Sequence, residues 1–293
     1  MQFLIYIIVY PLLWGISKLP FRLLYLISDG LFILMYYFIG YRKEVVTSNL
    51  RLVFPQIPEN ELKAIRKKFY RHLCDMFLEM AKTMSMSETS LKKRFLVTNP
   101  EEFKRLEQKN KSILLMYGHY ASWEWSLILQ QYISFKGFGV YKKLANKHFD
   151  KLVRDIRSKF NTQLISTKET ISAITNSESE NVKSITAFIS DQSPRVTKDV
   201  YWQSFMGVTV PCYTGAERLA KKLDLNIAYL KIDKIKRGHY RGEIVTLVEN
   251  PKAYNDFEIT DLFLKEVEKQ IYHAPEYYFW THKRWKHKDK KPS

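Results

Sequence analysis

Ser112-Ile-Leu-Leu-Met-Tyr117 is an apolar run with strand character, and the turn Gly118-His119 follows it directly. An amphipathic run from Trp125 to Tyr132 comes next and predicts a helix. In open α/β sheets, binding and catalytic sites lie at the carboxyl ends of the strands. The stretch therefore predicts a functional site around His119, at the end of a buried strand.

Glu124 lies five residues after His119, and Ser122 between them is of a type that caps helix N-termini. With His119 in the loop and Glu124 in the first helical turn, we expect the imidazole to fold back onto the carboxylate. The carboxylate would fix the imidazole tautomer and stabilise the imidazolium. Such a pair can deprotonate a hydroxyl that arrives on a substrate. An ordinary polar cap at a strand–helix junction is the alternative.

A second apolar strand, Ile185 to Ile189, ends just before Asp191 and Gln192. Both strand ends are expected to open onto the same edge of the sheet, which would bring these residues towards His119. Arg157 lies between the two strands in sequence, in a basic helical run. An arginine there suits an anionic substrate group or a developing oxyanion. A surface arginine on a basic helix is the other interpretation.

Strand-like and helical runs alternate along the chain, which predicts an α/β fold with a mixed, mostly parallel sheet flanked by helices. Residues 59–82 carry apolar side chains at helical spacing and predict a long packed helix. A polar turn is expected at 175–181, and a loop of about 15 residues at 196–210.

Two apolar runs, Phe3 to Ser17 and Leu23 to Gly40, open the chain, and basic clusters follow each of them at 18–22 and 42–43. The positive-inside rule places both clusters on one side of a membrane. We therefore predict that the first run spans the membrane and that the second lies along its interface. A two-helix hairpin and a pair of buried core helices are the alternatives. This divides the chain into an anchor with an interfacial helix, 1–43, and a catalytic domain, 44–293.

The chain has 293 residues and a net charge of +17, so its partners should be anionic: nucleic acid, a phospholipid surface, or an acidic or phosphorylated partner. The sequence contains no G-x-S-x-G elbow, phosphate-binding GxxxxGK[ST] loop, GxGxxG turn or HExxH pair. His282 and His287 lie in a lysine-rich tail, which favours solvated side chains over metal ligands. We expect neither a metal nor a cofactor.

Taken together these residues resemble the late acyltransferases of lipid A biosynthesis, the lauroyl and myristoyl transferases. These belong to a wider group of lysophospholipid acyltransferases with an His-x4-Asp/Glu motif. The resemblance runs nearly end to end and rests on an ordered set of elements: Leu19-Pro20, Asn49-Leu-Arg-Leu-Val-Phe-Pro55, Gly118-His119-x4-Glu124, Arg157, Asp191-Gln192, Phe205-Met-Gly207, Arg218-Leu-Ala220 and Ala274-Pro-Glu-Tyr-x-x-Trp280-x-His282-x-Arg284.

The resemblance implies an enzyme of the bacterial inner membrane, with one transmembrane helix and a catalytic domain on the cytoplasmic side. It implies transfer of a fatty acyl chain from an acyl carrier protein thioester to a hydroxyl of a lipid A precursor. His119 would be the general base, Glu124 its partner and Arg157 a site residue that places charge near the reaction. Asp191 and Gln192 are further candidates for substrate binding or oxyanion stabilisation. Anionic membrane lipids are the expected surroundings, and nucleic acid is not an expected partner.

Two other functions fit parts of the sequence. An acyltransferase acting on a glycerol or mannoside phospholipid would use the same motif, although the Phe-Pro-Glu-Gly segment typical of glycerolipid enzymes is missing. A basic, membrane-anchored binding module would explain the charge and the apolar N-terminus, but it would not require the spacing of His119 and Glu124.

Overall fold

A seven-stranded sheet forms the centre of the protein in the computed structural model, which describes residues 2–291. The strands run in the order β1-β9-β8-β2-β5-β3-β4, and every neighbouring pair is parallel except β8 with β9. The strands of this sheet are β1 (Phe95–Val97), β2 (Ile113–Tyr117), β3 (Lys136–Tyr141), β4 (Gln163–Ser166), β5 (Ser184–Ile189), β8 (Asn226–Lys236) and β9 (His239–Val248). A separate antiparallel hairpin consists of β6 (Tyr201–Phe205) and β7 (Val208–Cys212).

Ten α-helices surround the sheets in the described residues. They are α1 (Gln2–Lys18), α2 (Phe21–Ile33), α3 (Lys43–Val53), α4 (Glu59–Lys82), α5 (Glu88–Lys92), α6 (Glu101–Glu107), α7 (Lys147–Arg157), α8 (Thr170–Ser179), α9 (Gly215–Leu223) and α10 (Glu258–His273). A π-helical turn, Leu34–Ile39, continues α2, and a 3-10 helix, Trp123–Tyr132, follows β2.

Strand β2 lies in the middle of the sheet and positions the predicted site. All five of its residues are buried, and β8 and β5 flank it on the two sides. A strand covered on both faces needs apolar residues at successive positions, which explains the continuous run Ile113–Tyr117. Helix α10 packs on β2, β8 and β9. The predicted α/β class with a mixed, mostly parallel sheet is confirmed.

Three local predictions were wrong. The run after Ser122 forms a 3-10 helix instead of an α-helix, and the Ser122 side chain makes no capping hydrogen bond. Residues 175–181, expected as a turn, lie mostly in α8, where Ile174 anchors the helix in the core. The loop expected at 196–210 contains the hairpin β6–β7, whose tight turn at Met206-Gly207 has positive φ at both residues, a conformation typical of two-residue hairpins.

The N-terminal helices expose an apolar surface. Most of the exposed large apolar side chains of the described residues lie within the first 41 positions, including Ile8 at 73% and Phe38 at 78% exposure. Of the described helices, only the continuous one from Phe21 to Ile39 is long and apolar enough to cross a membrane; Phe3–Lys18 is shorter. Length and composition alone thus select the second run, and the prediction that the first run spans and the second lies along the interface stays a prediction.

Helix α2 is also fastened to the rest of the protein by buried polar groups. Ser28 donates a hydrogen bond to Asp75 of α4 (2.7 Å), and Arg237 of the β8–β9 turn bridges Asp75 and Asp29 at 2.7 and 2.8 Å. Tyr25 donates to the buried carboxylate of Glu79 (2.8 Å). These bonds hold the helix against α4 from Tyr25 to Asp29. The predicted division into segments 1–43 and 44–293 remains a prediction. The outermost residues of these two segments, Met1, Pro292 and Ser293, lie outside the described residues.

We predict that Arg237→Gln weakens this attachment. The substitution leaves the buried carboxylate of Asp75 with weaker partners, so the free energy of unfolding in detergent micelles should fall by roughly 2 kcal/mol. Arg241→Gln is the matched control, because its pair with Asp233 is more exposed and should contribute less than about 1 kcal/mol. Equal losses in the two variants would contradict this account of the attachment.

Candidate active site

The register of the sheet brings His119 and Asp191 together. Strands β2 and β5 are parallel neighbours in which Tyr117 lies opposite Ile189. His119 and Asp191 each stand two residues further along, so the two strand ends deliver them to the same place. Gly118 allows the ends of β2 and β5 to approach each other closely, because a Cβ at this position would lie 3.3 Å from Val267 Cγ1 and 3.6 Å from Asp191 Oδ2. The expectation that both strand ends open at one edge is confirmed.

Hydrogen bonds fix the His119 ring at both nitrogens. Nδ1 lies 2.6 Å from Oδ1 of Asp191, and the His119 backbone N–H donates to Oδ2 (3.1 Å). A carboxylate only accepts, so Nδ1 carries the proton and Nε2 is left with its lone pair. The Gln192 amide nitrogen lies 3.2 Å from Nε2 and donates to it. The result is an imidazole in the tautomer that a general base needs, with Nε2 as the basic atom.

Asp191 is 1% exposed, and burial by itself raises the pKa of a carboxyl group. The charge that His119 carries when it is protonated, its two hydrogen bonds and the charge of Arg284 outweigh burial, so that the pKa of Asp191 lies below its ordinary value. Asp191 is therefore ionised at neutral pH. A buried anion next to Nδ1 stabilises an imidazolium that forms when Nε2 takes up a proton.

Glu124 has a different partner from the predicted one. The Arg157 guanidinium binds its carboxylate in a bidentate manner, with Nε to Oε2 at 2.9 Å and Nη2 to Oε1 at 2.5 Å. The predicted hydrogen bond between His119 and Glu124 is absent from the described part of the chain. Residues 123–132 form a 3-10 helix, and Glu124 in its first turn faces the C-terminal end of α7. Asp191 occupies the position beside the imidazole that was predicted for Glu124. Arg157, in turn, is held by Glu124 and is not a surface arginine: its side chain is 31% exposed.

The segment after α10 forms a wall of the site. Residues 277–279 pair with the His119 loop: the Ala121 N–H donates to the Tyr277 carbonyl (2.9 Å) and the Phe279 N–H to the His119 carbonyl (3.1 Å). The Phe279 ring stacks on the His119 ring at 6.0 Å, and Trp123 meets it edge-on at 5.3 Å. The Trp123 and Phe279 rings also contact each other at 5.4 Å, so His119 belongs to a cluster of three rings, with 20% of its own side chain exposed. This arrangement suits proton transfer from a hydroxyl next to apolar chains.

The sequence model of the bacterial lipid A biosynthesis acyltransferase family matches residues 1–287. The chain belongs to this family. It is accordingly a transferase, and the resemblance stated above is confirmed. A membrane-anchored binding module without catalysis is excluded as the alternative.

Curated relatives of this acyltransferase agree. The lipid A biosynthesis lauroyltransferase of Escherichia coli K12 is 24% identical over 279 residues, which cover 94% of this chain and 89% of that protein. The palmitoleoyltransferase of the same strain and the lipid A biosynthesis acyltransferase of Shigella flexneri are each 21% identical, over 94% of this chain and 88% of theirs.

Sequence reasoning missed the part that the C-terminal segment plays in this acyltransferase. His282 was expected to be a solvated residue of a basic tail. Instead its Nε2 accepts a hydrogen bond from the Ser193 backbone N–H (3.3 Å), in the loop that carries Asp191 and Gln192. Arg284 is 1% exposed and donates to the Pro211 carbonyl (2.9 Å) at the end of the hairpin. Five aromatic residues between 277 and 285 were the available signal for a packed segment.

We predict that His282 makes stability depend on pH. Burial is the main cause that lowers the pKa of His282 to about 4, whereas a histidine in the unfolded chain titrates near 6.5. Between these values the unfolded chain binds a proton that the folded chain does not, so the free energy of unfolding falls as the pH drops from about 6.5 to about 4. In His282→Gln, whose amide oxygen can still accept from Ser193, this fall should be smaller; in His273→Gln, at an exposed position, it should equal wild type. An unchanged slope in His282→Gln would contradict the prediction.

Proposed function

We propose that this acyltransferase moves a fatty acyl chain from an acyl carrier protein thioester to a hydroxyl of a lipid A precursor, with His119 as general base. The observation that carries the proposal is the imidazole of His119, held by Asp191 in the tautomer that leaves Nε2 free to accept a proton. The lauroyltransferase and palmitoleoyltransferase activities of the relatives in lipid A biosynthesis support a lipid A precursor as acceptor and a fatty acyl group as the group transferred.

The reaction is direct transfer without a covalent enzyme intermediate. The acceptor hydroxyl takes the place of the Gln192 amide at Nε2 of His119 and gives up its proton there as its oxygen attacks the thioester carbonyl. The tetrahedral intermediate then collapses, the carbon–sulfur bond breaks, and the imidazolium returns the proton to the leaving thiolate. Asp191 stabilises the imidazolium throughout. Free thiols exist at Cys74 and Cys212, but both are buried and burial raises the pKa of each, so neither suits the role of nucleophile.

Gln192 and Arg157 are the proposed stabilisers of developing negative charge. Once the acceptor displaces it, the Gln192 amide is a free donor beside the reacting atoms, and such donors stabilise oxyanions. Burial alone would lower the pKa of Arg157, but the Glu124 carboxylate raises it above its ordinary value, so the guanidinium keeps its charge. Glu124 thus acts through Arg157, as a positioning residue.

The exposed apolar faces of α1 and α2 support attachment to the inner membrane, on its cytoplasmic side. Side chains such as Leu12, Leu26 and Phe38 would enter the lipid, while the polar contacts of Ser28 and Asp29 keep α2 on the protein. The positive charge favours a bilayer with anionic lipids and an acidic carrier protein. We propose no cofactor and no metal for the reaction.

The base is tested by His119→Ala, which should lower kcat by roughly 10²–10⁴, the usual contribution of general-base catalysis. Asp191→Asn should also be strongly impaired, since an amide in place of the carboxylate no longer fixes the tautomer or stabilises the imidazolium. The double variant should be little worse than His119→Ala, because residues that act as a unit are not additive. Transfer is measured with an acyl carrier protein thioester and a lipid A precursor in micelles. His273→Ala, at an exposed position, is the control. Near-full transfer by folded His119→Ala would refute the mechanism.

The corrected pairing of Glu124 makes a separate prediction. Glu124→Gln should lower kcat/KM by roughly 10- to 100-fold, because Arg157 would lose the carboxylate that positions it and misplaced groups in a site cost about this much. The double variant Glu124→Gln/Arg157→Gln should lose no more activity than Glu124→Gln alone. The shape of the pH–rate profile should stay as in wild type, because Glu124 does not contact the base. Asp155→Asn, which breaks the exposed pair with Lys151, controls for the loss of a surface charge. A pH–rate profile altered by Glu124→Gln would indicate that Glu124 pairs with His119, contrary to the structure.

A further inference from the structure

A groove of about 980 Å³ lies at the C-terminal end of the apolar helix, and the reaction proposed above does not use it. Cations dominate its lining: Arg42, Lys43 and Arg51 from the start and body of α3, Arg66 from α4, and Lys288 near the C-terminus. Glu44 is the one acidic residue among the lining residues. Elements distant in sequence therefore converge to place five positive side chains around one opening.

Three of these cations have no carboxylate partner within the part of the chain that the structure describes. Arg42 donates to the Thr281 carbonyl (2.9 Å), Lys43 to the Tyr36 carbonyl (3.2 Å) and Arg66 to the Thr47 hydroxyl (2.7 Å). The Nε atom of Arg66 is buried and has no hydrogen-bond partner among residues 2–291. Unneutralised cations held close together repel one another, and a buried unpaired donor is costly. An anion with several oxygen acceptors would relieve both.

The position of the groove indicates where that anion comes from. The π-helical turn that continues α2 ends at Gly40, and its last residues, Phe38 and Ile39, are 78% and 57% exposed. Cationic side chains at the end of an apolar helix lie at the level of the lipid headgroups when the helix enters a bilayer. Guanidinium groups match the geometry of phosphate oxygens. The boundary between exposed apolar side chains and cations thus fits a phosphate attached to a lipid.

We propose that this groove binds the phosphate of an anionic bilayer lipid, one whose headgroup carries a net negative charge. The proposal rests on the membrane attachment proposed above and does not depend on the transfer chemistry.

The groove is joined to the wall of the active site. Asn49 of α3 donates from Nδ2 to the carbonyls of Trp280 and His282, both at 2.9 Å, and Arg42 holds the carbonyl of Thr281 between them. The segment so held is the one whose Phe279 stacks on His119. A headgroup in the groove would therefore fix the orientation of the active-site wall relative to the bilayer surface.

The test uses the full chain in dodecyl maltoside micelles, to which phosphatidylglycerol or phosphatidylcholine is added. The detergent covers the apolar helices in every sample, so differences report the headgroup. Binding to the folded state raises the melting temperature and gives an affinity. Wild type should bind phosphatidylglycerol more tightly than phosphatidylcholine. Each cation near a lipid surface contributes about 1 kcal/mol, a factor of about 5, so Lys43→Gln/Arg66→Gln/Lys288→Gln should bind phosphatidylglycerol about 100-fold more weakly.

The control variant Lys104→Gln/Lys168→Gln/Lys252→Gln removes the same charge from exposed positions outside the groove and should bind as wild type does. Melting without added lipid checks that each variant folds. If the triple groove variant does not fold, the single variant Lys288→Gln, which breaks an exposed pair with Asp289, should still show a loss of about 5-fold.

Three results would overturn the proposal. Equal losses in the groove and control variants would mean that overall charge, and not the groove, attracts the lipid. Equal affinity of wild type for the two lipids would mean that the groove does not select an anionic headgroup. Inorganic phosphate that binds wild type but not the groove variant, with phosphatidylglycerol binding unaffected, would assign the groove to a free anion. His119→Ala should keep the wild-type affinity for phosphatidylglycerol, so this test and the test of the base can fail independently.

Discussion

The hydrogen bond between Nδ1 of His119 and the carboxylate of Asp191 is the contact on which the candidate site depends. It exists because β2 and β5 are parallel neighbours in register, so that residues two positions beyond each strand meet. It decides which imidazole nitrogen carries the proton and thereby makes Nε2 the basic atom. Two further parts of the fold support it: the 277–279 segment pairs with the His119 loop, and His282 holds the loop that carries Asp191.

The two carboxylates of the site have separate partners. Asp191 is buried and reserved for the imidazole, while Glu124 and Arg157 form a separate bidentate pair. If both carboxylates faced His119, two negative charges would lie together beside one imidazole, which would raise the pKa of one carboxyl group. The Arg157 guanidinium on Glu124 avoids that conflict. At α2, one guanidinium, that of Arg237, likewise donates hydrogen bonds to two carboxylates, those of Asp29 and Asp75.

Much of the architecture could be predicted from the sequence. Continuous apolar strands such as Ile113–Tyr117 and the regular apolar spacing of residues 59–82 are strong local signals, and both elements are found where expected. Proximity of His119 to Asp191 also followed from the strand ends. The pairing itself did not, because the five-residue spacing to Glu124 offered a partner nearby in sequence, while the real partner depends on which strands are neighbours. His282 was missed for the same reason: its partner, Ser193, is 89 residues away. The hairpin at 201–212 lacked a strong apolar alternation and depends on packing against α10.

The tautomer of the His119 imidazole can be measured directly. Nitrogen-15 NMR of histidine-labelled protein in micelles distinguishes the two imidazole tautomers, and the His119 signals are assigned by their loss in His119→Ala. We expect a proton on Nδ1 and a free lone pair on Nε2 in the wild-type protein. Asp191→Asn should disturb this tautomer, and Glu124→Gln should leave it unchanged. A proton on Nε2, or a tautomer that responds to Glu124→Gln and not to Asp191→Asn, would contradict the assignment of Asp191 as the partner of the base.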